Sequence, residues 1–261
     1  KIITFVVVKL LRKILFPFTP LYYVVVFLRN KLYDWSFFKS TSYEFPLICV
    51  GNLSVGGTGK TPMVEYLVSF LKRKYKIATL SRGYGRVSKG FVIADLQSTA
   101  QDIGDEPFQL FKKFKDISVA VDADRLNGLD LLKKSKPSIE VVLLDDAFQH
   151  RKVSAGFNIL LTAYDQIYCH DYVLPTGNLR EPKSGAKRAE AIVVTKSPES
   201  LSQEHKFNII EQLNPESNQE VFFSSIYYSD VLISLTSSRS VADLKAVRFT
   251  LVTGIANPAP L

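Results

Sequence analysis

The stretch GNLSVGGTGKTP, residues 51–62, follows the apolar run FPLICV (45–50) and leads into the helix-compatible segment TPMVEYLVSFLKRKY (61–75). A strand, a glycine-rich loop and a helix in this order predict a phosphate-binding loop. Glycines let backbone N–H groups converge on phosphate oxygens, and the helix N-terminus attracts negative charge. Pro62 fits the first helical turn, where its missing N–H is not needed. The usual first glycine of GxxxxGK[ST] is replaced by Ser54.

The residues of this loop have distinct expected roles. Lys60 supplies positive charge to the phosphates, and the Thr61 hydroxyl is suited to bind Mg²⁺. The predicted nucleotide contacts are Gly56, Gly57, Thr58, Gly59, Lys60 and Thr61.

Further apolar runs recur along the chain, separated by helix-compatible segments. They are residues 45–50, 76–80, 117–121, 139–144, 157–162 and 191–195. Continuous apolar strands alternating with helices predict an α/β fold with a mostly parallel, P-loop NTPase-like sheet sandwiched by helices. Ligands of such folds bind beyond the carboxyl ends of the strands.

A second motif predicts the metal site. VVLLDDAFQH (141–150) is an apolar strand that ends in Asp145 and Asp146. Two adjacent acids at a buried strand end resist simultaneous ionisation unless a cation is near, and P-loop enzymes hold Mg²⁺ with an acid at this position. Together with the loop, the motif predicts a site for Mg²⁺ and a nucleoside triphosphate.

Other polar clusters also adjoin the apolar runs. SRGYG (81–85), DADR (122–125) and LPTGNLREP (174–182) contribute Arg82, Arg125 and Arg180, which we expect to face the same crevice. GDEP (104–107) contains acids, one of which could act as a base.

The charge of the chain favours an anionic partner. The 261 residues carry a formal net charge of +8, with a pI near 9.3. Nucleic acid, nucleotide, phosphorylated metabolite and anionic lipid surface all remain compatible with this charge. The chain has two cysteines, Cys49 and Cys169, which offer no disulfide framework, so a reducing compartment is expected.

Residues 1–35 are strongly apolar but contain no uninterrupted run long enough for a spanning helix, which needs about 20 apolar residues. They also lack the small-residue cleavage site of a signal peptide. Lys9, Arg12 and Lys13 share one helical face, which predicts a helix lying in an anionic membrane interface. The alternative is an ordinary buried helix with snorkelling lysines.

With these clusters in order, the chain resembles the bacterial lipid A 4'-kinases, also called tetraacyldisaccharide 4'-kinases. The resemblance rests on GNLSVGGTGKTP, SRGYG, GDEP, DDAFQHR, LPTGNLREP and GIANP, which span most of residues 45–258. It implies transfer of the ATP γ-phosphoryl group to the 4'-hydroxyl of a lipid-linked glucosamine disaccharide phosphate, at the cytoplasmic face of the inner membrane. ATP, Mg²⁺, this acceptor and an anionic membrane surface are therefore the expected partners, and nucleic acid is not.

The resemblance also assigns roles to individual residues. Asp105, with Lys60 and Arg125, is implied in catalysis, and Asp105 would help to deprotonate the sugar hydroxyl. Thr61, Asp145, Asp146 and Glu181 are the implied metal-site residues. Tyr84, Gln149, His150 and Arg180 are implied to line the substrate cleft.

The family fold implies two α/β/α domains joined by a β linker. We divide the chain into an interfacial helix (1–36), a P-loop kinase core (37–195) and a second, smaller α/β domain (196–261). The family pairs its catalytic aspartate with a histidine in a motif downstream of GIANP, and this sequence stops before that point. We therefore expect the second domain to be incomplete and the partner histidine to lie beyond Leu261.

Two other functions remain possible from sequence. A switch or metallochaperone GTPase shares the phosphate loop, but Ser197 in VTKSP stands where an aspartate would read guanine. A membrane-associated nucleotide-binding module without turnover is the other alternative.

Overall fold

The computed structural model describes residues 12–233, 238–246, 248 and 250. Its strands are β1 (Leu47–Asn52), β2 (Ile77–Ser81), β3 (Val92–Ile93), β4 (Ser118–Val121), β5 (Val141–Asp145), β6 (Phe157–Ala163), β7 (Ala191–Thr195), β8 (Glu220–Phe223), β9 (Val231–Ile233) and β10 (Ser238–Ser240). Its α-helices are α1 (Thr19–Asp34), α2 (Lys60–Leu71), α3 (Ala100–Ile103), α4 (Asp105–Lys113), α5 (Arg125–Ser135) and α6 (Gln203–Leu213). Short 3₁₀ helices cover Phe16–Phe18, Tyr168–His170, Lys183–Arg188 and Val241–Ala246.

Eight strands form one sheet in the order β3-β4-β2-β5-β1-β6-β7-β8. Every pair is parallel except β3 with β4, which is antiparallel. The six apolar runs singled out in the sequence all become strands of this sheet. The predicted α/β fold with a mostly parallel sheet is confirmed.

Two hydrophobic cores lie on opposite faces of the sheet, because successive residues of a strand point in opposite directions. In β1, Leu47 and Cys49 belong to one core and Val50 to the other. Helices α2 and α4 contribute to the core that contains Val50, and α5 and α6 contribute to the core that contains Leu47. Helices therefore cover both faces, as expected for a buried parallel sheet.

The strand order places the polar clusters at one edge of the sheet. β1 lies between β5 and β6, and β5 lies between β1 and β2. Because parallel strands share their direction, the segments that follow β1, β2, β5 and β7 all emerge at the carboxyl edge. The phosphate loop, which follows β1, therefore lies at the same edge as the acids that end β5.

Close packing fixes the turn at the end of β1. A Cβ atom added to Gly51 would lie 2.6 Å from Cβ of Phe148. Such a contact is too short for any side chain, so glycine allows the segment after β5 to pack directly on the β1 backbone. This packing brings the DDAFQH segment against the start of the phosphate loop.

The predicted domain boundary after residue 195 falls inside the sheet. β8 pairs in parallel with β7, with Val194 opposite Phe223, and α6 between them packs Ile209 and Leu213 into the core. Residues 203–223 therefore belong with the main sheet, because β8 adds a strand beside β7 and α6 packs against the same core. Beyond them, β9 and β10 form an antiparallel pair.

The amino-terminal segment is helical through residues 12–15, the 3₁₀ turn Phe16–Phe18 and α1. Many of its apolar side chains are exposed, among them Ile14, Phe16, Leu21 and Val25. No helix in the described part of the chain has the length and hydropathy needed to cross a bilayer. Lys9 of the predicted cationic face, and the GIANP motif near the other end, lie outside the described residues.

Candidate active site

The phosphate loop connects β1 to α2 and is fixed by hydrogen bonds from the ends of β1 and β7 and from the residue after β7. Gly59 precedes α2 with a φ of 81°, a left-handed conformation that favours glycine. Asn52 Nδ2 donates to Thr58 Oγ1 (2.8 Å), and Thr195 Oγ1 donates to the Thr58 carbonyl (2.8 Å). Lys196 Nζ donates to the Gly57 carbonyl (2.6 Å). These contacts leave Gly56 and Gly57 exposed at the surface, where a phosphate can reach their N–H groups.

Lys60 begins α2 and points toward the acids at the end of β5. Its Nζ lies 3.6 Å from Asp146 Oδ1 and 3.5 Å from Asn52 Oδ1. Arg180 Nη1 donates to both oxygens of Asp146, at 2.9 and 3.1 Å. Asp146 therefore sits between two cations, and a triphosphate entering the loop would compete with it for both of them.

Thr61 and the GDEP motif meet across the crevice. Thr61 Oγ1 donates to Glu106 Oε1 at 3.2 Å, although the two residues lie in different helices. Asp105 is exposed at the first position of α4, beside Glu106. A Cβ added to Gly104 would lie 3.0 Å from the Tyr84 carbonyl oxygen, so the SRGYG loop packs against the start of α4. Tyr84 itself projects into solvent.

Asp145 is the most unusual acid of the site. It is buried, and its Oδ1 has no hydrogen-bond partner among the described residues. Burial, with the nearby charges of Glu106 and Asp146, raises the pKa of this carboxyl to about 7. A buried carboxylate oxygen without a partner, surrounded by other acids, indicates a place where a cation would bind.

The residues present fit a Mg²⁺ ion bound together with a nucleotide. Asp145 supplies a free oxygen, and the Thr61 hydroxyl and Glu106 lie at the same crevice. Within the described residues, no group of three or more His, Cys, Asp or Glu side chains forms a metal cluster. A magnesium–nucleotide site needs none, because phosphate oxygens and water complete the octahedron.

Arg125 and His150 lie next to these acids. Arg125 is buried, and its Nη2 donates to the Asp145 carbonyl at 3.3 Å. Burial lowers the pKa of its guanidinium to about 10, against the opposing attraction of Asp145 and Asp146. Burial, reinforced by the positive charges of Arg125 and Arg82, lowers the pKa of His150 to about 4. His150 is therefore neutral at physiological pH.

The structure places Glu181 differently from its predicted metal role. Its carboxylate is buried, and both oxygens accept hydrogen bonds from Arg188 Nη2 at 2.9 Å. Oε1 also accepts from Gln149 Nε2 (2.9 Å) and Oε2 from Asn30 Nδ2 (2.8 Å). Neither oxygen is free for a metal, so Glu181 belongs to a buried polar network in this structure.

Several residues at the site were not predicted from the sequence. Glu106 was quoted in GDEP, but its contact with Thr61 depends on how α4 packs. Asn52 and Thr195 are polar residues at the carboxyl ends of apolar strands, and this position was a usable signal. Asn178, whose carbonyl accepts from the Val55 N–H at 2.7 Å, and Asn30 carry no local signal.

Comparisons with known proteins identify the family of the chain. A family model described as tetraacyldisaccharide-1-P 4'-kinase matches residues 11–261. The chain is similar to the tetraacyldisaccharide 4'-kinase of Flavobacterium johnsoniae, with 53% identity over 252 residues, 97% of this chain and 74% of the relative. The enzyme of the same name from Bacteroides thetaiotaomicron is 48% identical over 262 residues, covering 96% of this chain and 69% of that protein.

Among solved structures, the chain is similar to "apo" form LpxK from Aquifex aeolicus in complex with ATP. The TM-score is 0.66 at 32% sequence identity, and the match covers 94% of this chain and 86% of that one.

Proposed function

The chain belongs to the tetraacyldisaccharide-1-P 4'-kinase family, and from this premise we propose that it transfers the γ-phosphoryl group of ATP to the 4'-hydroxyl of an acylated glucosamine disaccharide phosphate. It is a kinase of lipid A biosynthesis with a P-loop fold. The observation that carries the proposal is the meeting of Lys60, Thr61 and Asp145 at the carboxyl edge of the sheet.

We assign the following roles to the side chains of this site. Lys60 and the loop N–H groups bind the phosphates, and Arg180 stabilises the charge that develops during transfer. Thr61 and Asp145 would hold Mg²⁺, with Asp146 beside them. The ion, when bound, neutralises phosphate charge and orients the γ-phosphoryl group.

Asp105 is proposed to act on the acceptor. The proposal is supported by its exposed position at the start of α4, next in sequence to Glu106, which contacts Thr61. Phosphoryl transfer has a loose transition state, so this carboxylate orients the sugar hydroxyl and accepts its proton late. His150 is a poor alternative base, because burial, reinforced by the positive charges of Arg125 and Arg82, lowers its pKa to about 4.

A peripheral position at the cytoplasmic face of the bacterial inner membrane also belongs to this proposal. Residues 12–28 expose apolar side chains beside the cations Arg12 and Lys13. Such a surface suits an anionic bilayer that contains the acylated acceptor.

Transfer of labelled γ-phosphate from ATP to tetraacyldisaccharide 1-phosphate in mixed micelles tests the proposal. The wild-type chain should label the lipid, and Lys60→Ala should lower kcat by about a hundredfold, as expected for the loss of one preorganised charge. Lys72→Ala, directly after the other end of the same helix and paired with Asp116, is the matched control and should retain activity.

The same assay distinguishes the other functions. Asp105→Asn should lower kcat strongly at unchanged ATP affinity, whereas the exposed Asp116→Asn should not. Release of labelled phosphate only to water would favour a switch-type NTPase. Binding of ATP without any turnover would favour a nucleotide-binding module.

A further inference from the structure

Helix α1 buries a polar residue and exposes its apolar ones. The structure describes every residue of this helix, and Asn30, which is 8% exposed, is the one that is buried. Leu21, Val24, Val25 and Leu28 are each about half exposed or more. A helix whose only task was to attach to the core would bury an apolar side chain at this position.

The Asn30 side chain is connected to the phosphate loop through hydrogen bonds of Glu181, Gln149 and Asn52. Asn30 Nδ2 donates to Glu181 Oε2 at 2.8 Å, and Gln149 Nε2 donates to Glu181 Oε1 at 2.9 Å. The same Gln149 nitrogen donates to the Asn52 carbonyl at 2.9 Å. The Asn52 side chain in turn contacts Thr58 and Lys60.

Glu181 needs Asn30 to fix its orientation. Arg188 Nη2 lies 2.9 Å from both carboxylate oxygens, so this contact does not distinguish one oxygen from the other. Asn30 and Gln149 each take a different oxygen, and together they set the rotation of the carboxylate. Loss of the Asn30 amide would leave Oε2 held by Arg188 alone.

The arrangement is not explained by helix stability. Asn30 Oδ1 is buried and has no hydrogen-bond partner in the described part of the chain. A buried acceptor without a partner costs free energy, and an apolar residue of similar size would avoid that cost.

We propose that Asn30 is a positioning residue for the nucleotide site. It orients Glu181, which through Gln149 and Asn52 holds the phosphate loop in the geometry that binds ATP. Resting on the kinase function proposed above, this inference gives the amino-terminal helix a role in catalysis in addition to attachment at a membrane.

The test compares Asn30→Leu with the wild-type chain in three measurements. We expect kcat for lipid phosphorylation to fall roughly tenfold and the Kd for Mg-ATP to rise several-fold, because small displacements of a catalytic site cost rate. The melting temperature should fall, since the buried Glu181 carboxylate loses a hydrogen-bond donor, so kcat is expressed per folded molecule. A role in folding alone would lower the melting temperature and leave kcat per folded molecule unchanged.

A second variant keeps the shape of the side chain. Asn30→Asp places a carboxylate against Glu181 and should lower kcat at least as much as Asn30→Leu. Asn208→Asp, which adds the same charge at an exposed position of α6, is the matched control and should behave as wild type. A wild-type kcat and Kd in Asn30→Asp would overturn the inference.

A double-mutant cycle with Gln149→Leu tests the connection itself. If the two residues act in one series, the double variant should lose little more ATP affinity than the more affected single variant, whereas independent effects would add. Additive losses would contradict the proposal. The Kd for Mg-ATP is measured without the lipid acceptor. If the wild type binds Mg-ATP but does not phosphorylate the lipid, that result counts against the proposed function, and the double-mutant cycle still tests the role of Asn30.

Discussion

Two adjacent acids at the end of β5 have different environments, and this difference separates their roles. Asp145 is buried with a pKa raised to about 7, whereas the Asp146 side chain is 35% exposed and lies between Lys60 and Arg180. The buried acid has an oxygen without a hydrogen-bond partner among the described residues, and the exposed acid contacts two cations. This difference supports the two roles proposed for the dipeptide, one toward the metal and one toward the phosphates.

His150 allows a prediction on the pH dependence of stability. Its folded pKa of about 4 lies below the ordinary value of 6.5, so the folded state binds the proton less readily than the unfolded chain. The contribution to stability is fully present above pH 6.5 and is lost as the pH falls from there toward 4.

We expect the free energy of unfolding to fall between pH 7 and pH 5 by about 1 kcal/mol more in the wild type than in His150→Asn, a value reduced for solvent screening at this half-buried site. Urea unfolding at each pH measures it. Between pH 7 and pH 8 both proteins should change in parallel, because the imidazole is then neutral in both states. Equal losses on acidification would show that His150 titrates normally.

At the level of elements, α1 presents two chemically different sides. One carries exposed apolar residues, and the other contacts the segments that support the phosphate loop. Tyr22 OH donates to the Arg180 carbonyl at 2.7 Å, and Arg29 Nη2 donates to the Gln149 carbonyl at 3.0 Å. The helix therefore lies between the proposed membrane surface and the nucleotide site.

The exposed side of α1 yields a prediction on membrane binding. Leu21→Ser combined with Val25→Ser should weaken binding to anionic vesicles, because each exposed apolar side chain contributes buried area at the interface. Cosedimentation measures the change, and higher salt should weaken the binding of the wild type by screening its cations.

The matched control replaces two exposed aromatic residues elsewhere, Tyr66→Ser with Phe70→Ser on α2. This variant should bind vesicles as the wild type does. Equal binding of all three proteins would contradict an interfacial role for α1.

At the scale of the whole molecule, the parallel sheet brings the ends of β1, β5 and β7 to one edge. Under the proposed function, Mg-ATP bound at this edge would contact segments that are distant in sequence but belong to one sheet. A ligand that binds only the folded state stabilises it in proportion to its concentration over Kd, by about 2.7 kcal/mol at a hundredfold excess.

We therefore expect ATP with Mg²⁺ to raise the melting temperature more than ATP with a chelator does. Asp145→Asn should remove the additional increase due to Mg²⁺ while leaving the protein folded, because a buried carboxyl whose pKa is raised to about 7 is already partly neutral near pH 7. Differential scanning fluorimetry measures both effects. A full Mg²⁺ effect in Asp145→Asn would exclude this residue from the metal site.

The sequence by itself determined the fold class and predicted the centre of the candidate site. Apolar runs marked six strands of the main sheet, because a strand buried on both faces needs apolar residues at successive positions. The glycine loop before Pro62 and the acids after Leu144 were recognisable because their chemistry depends on adjacent residues. These features are local, and a local pattern can be read without a structure.

Only the tertiary structure decided how distant segments meet. The extension of the sheet through β8, the contact of Thr61 with Glu106 and the network around Glu181 all join residues that are far apart in the chain. Asn30 lies 151 positions from Glu181 in sequence, and no pattern near either residue indicates the pairing. The physical reason is that hydrogen bonds in a buried interface depend on how whole elements pack, and that packing is set by the two cores rather than by the residues that form the bonds.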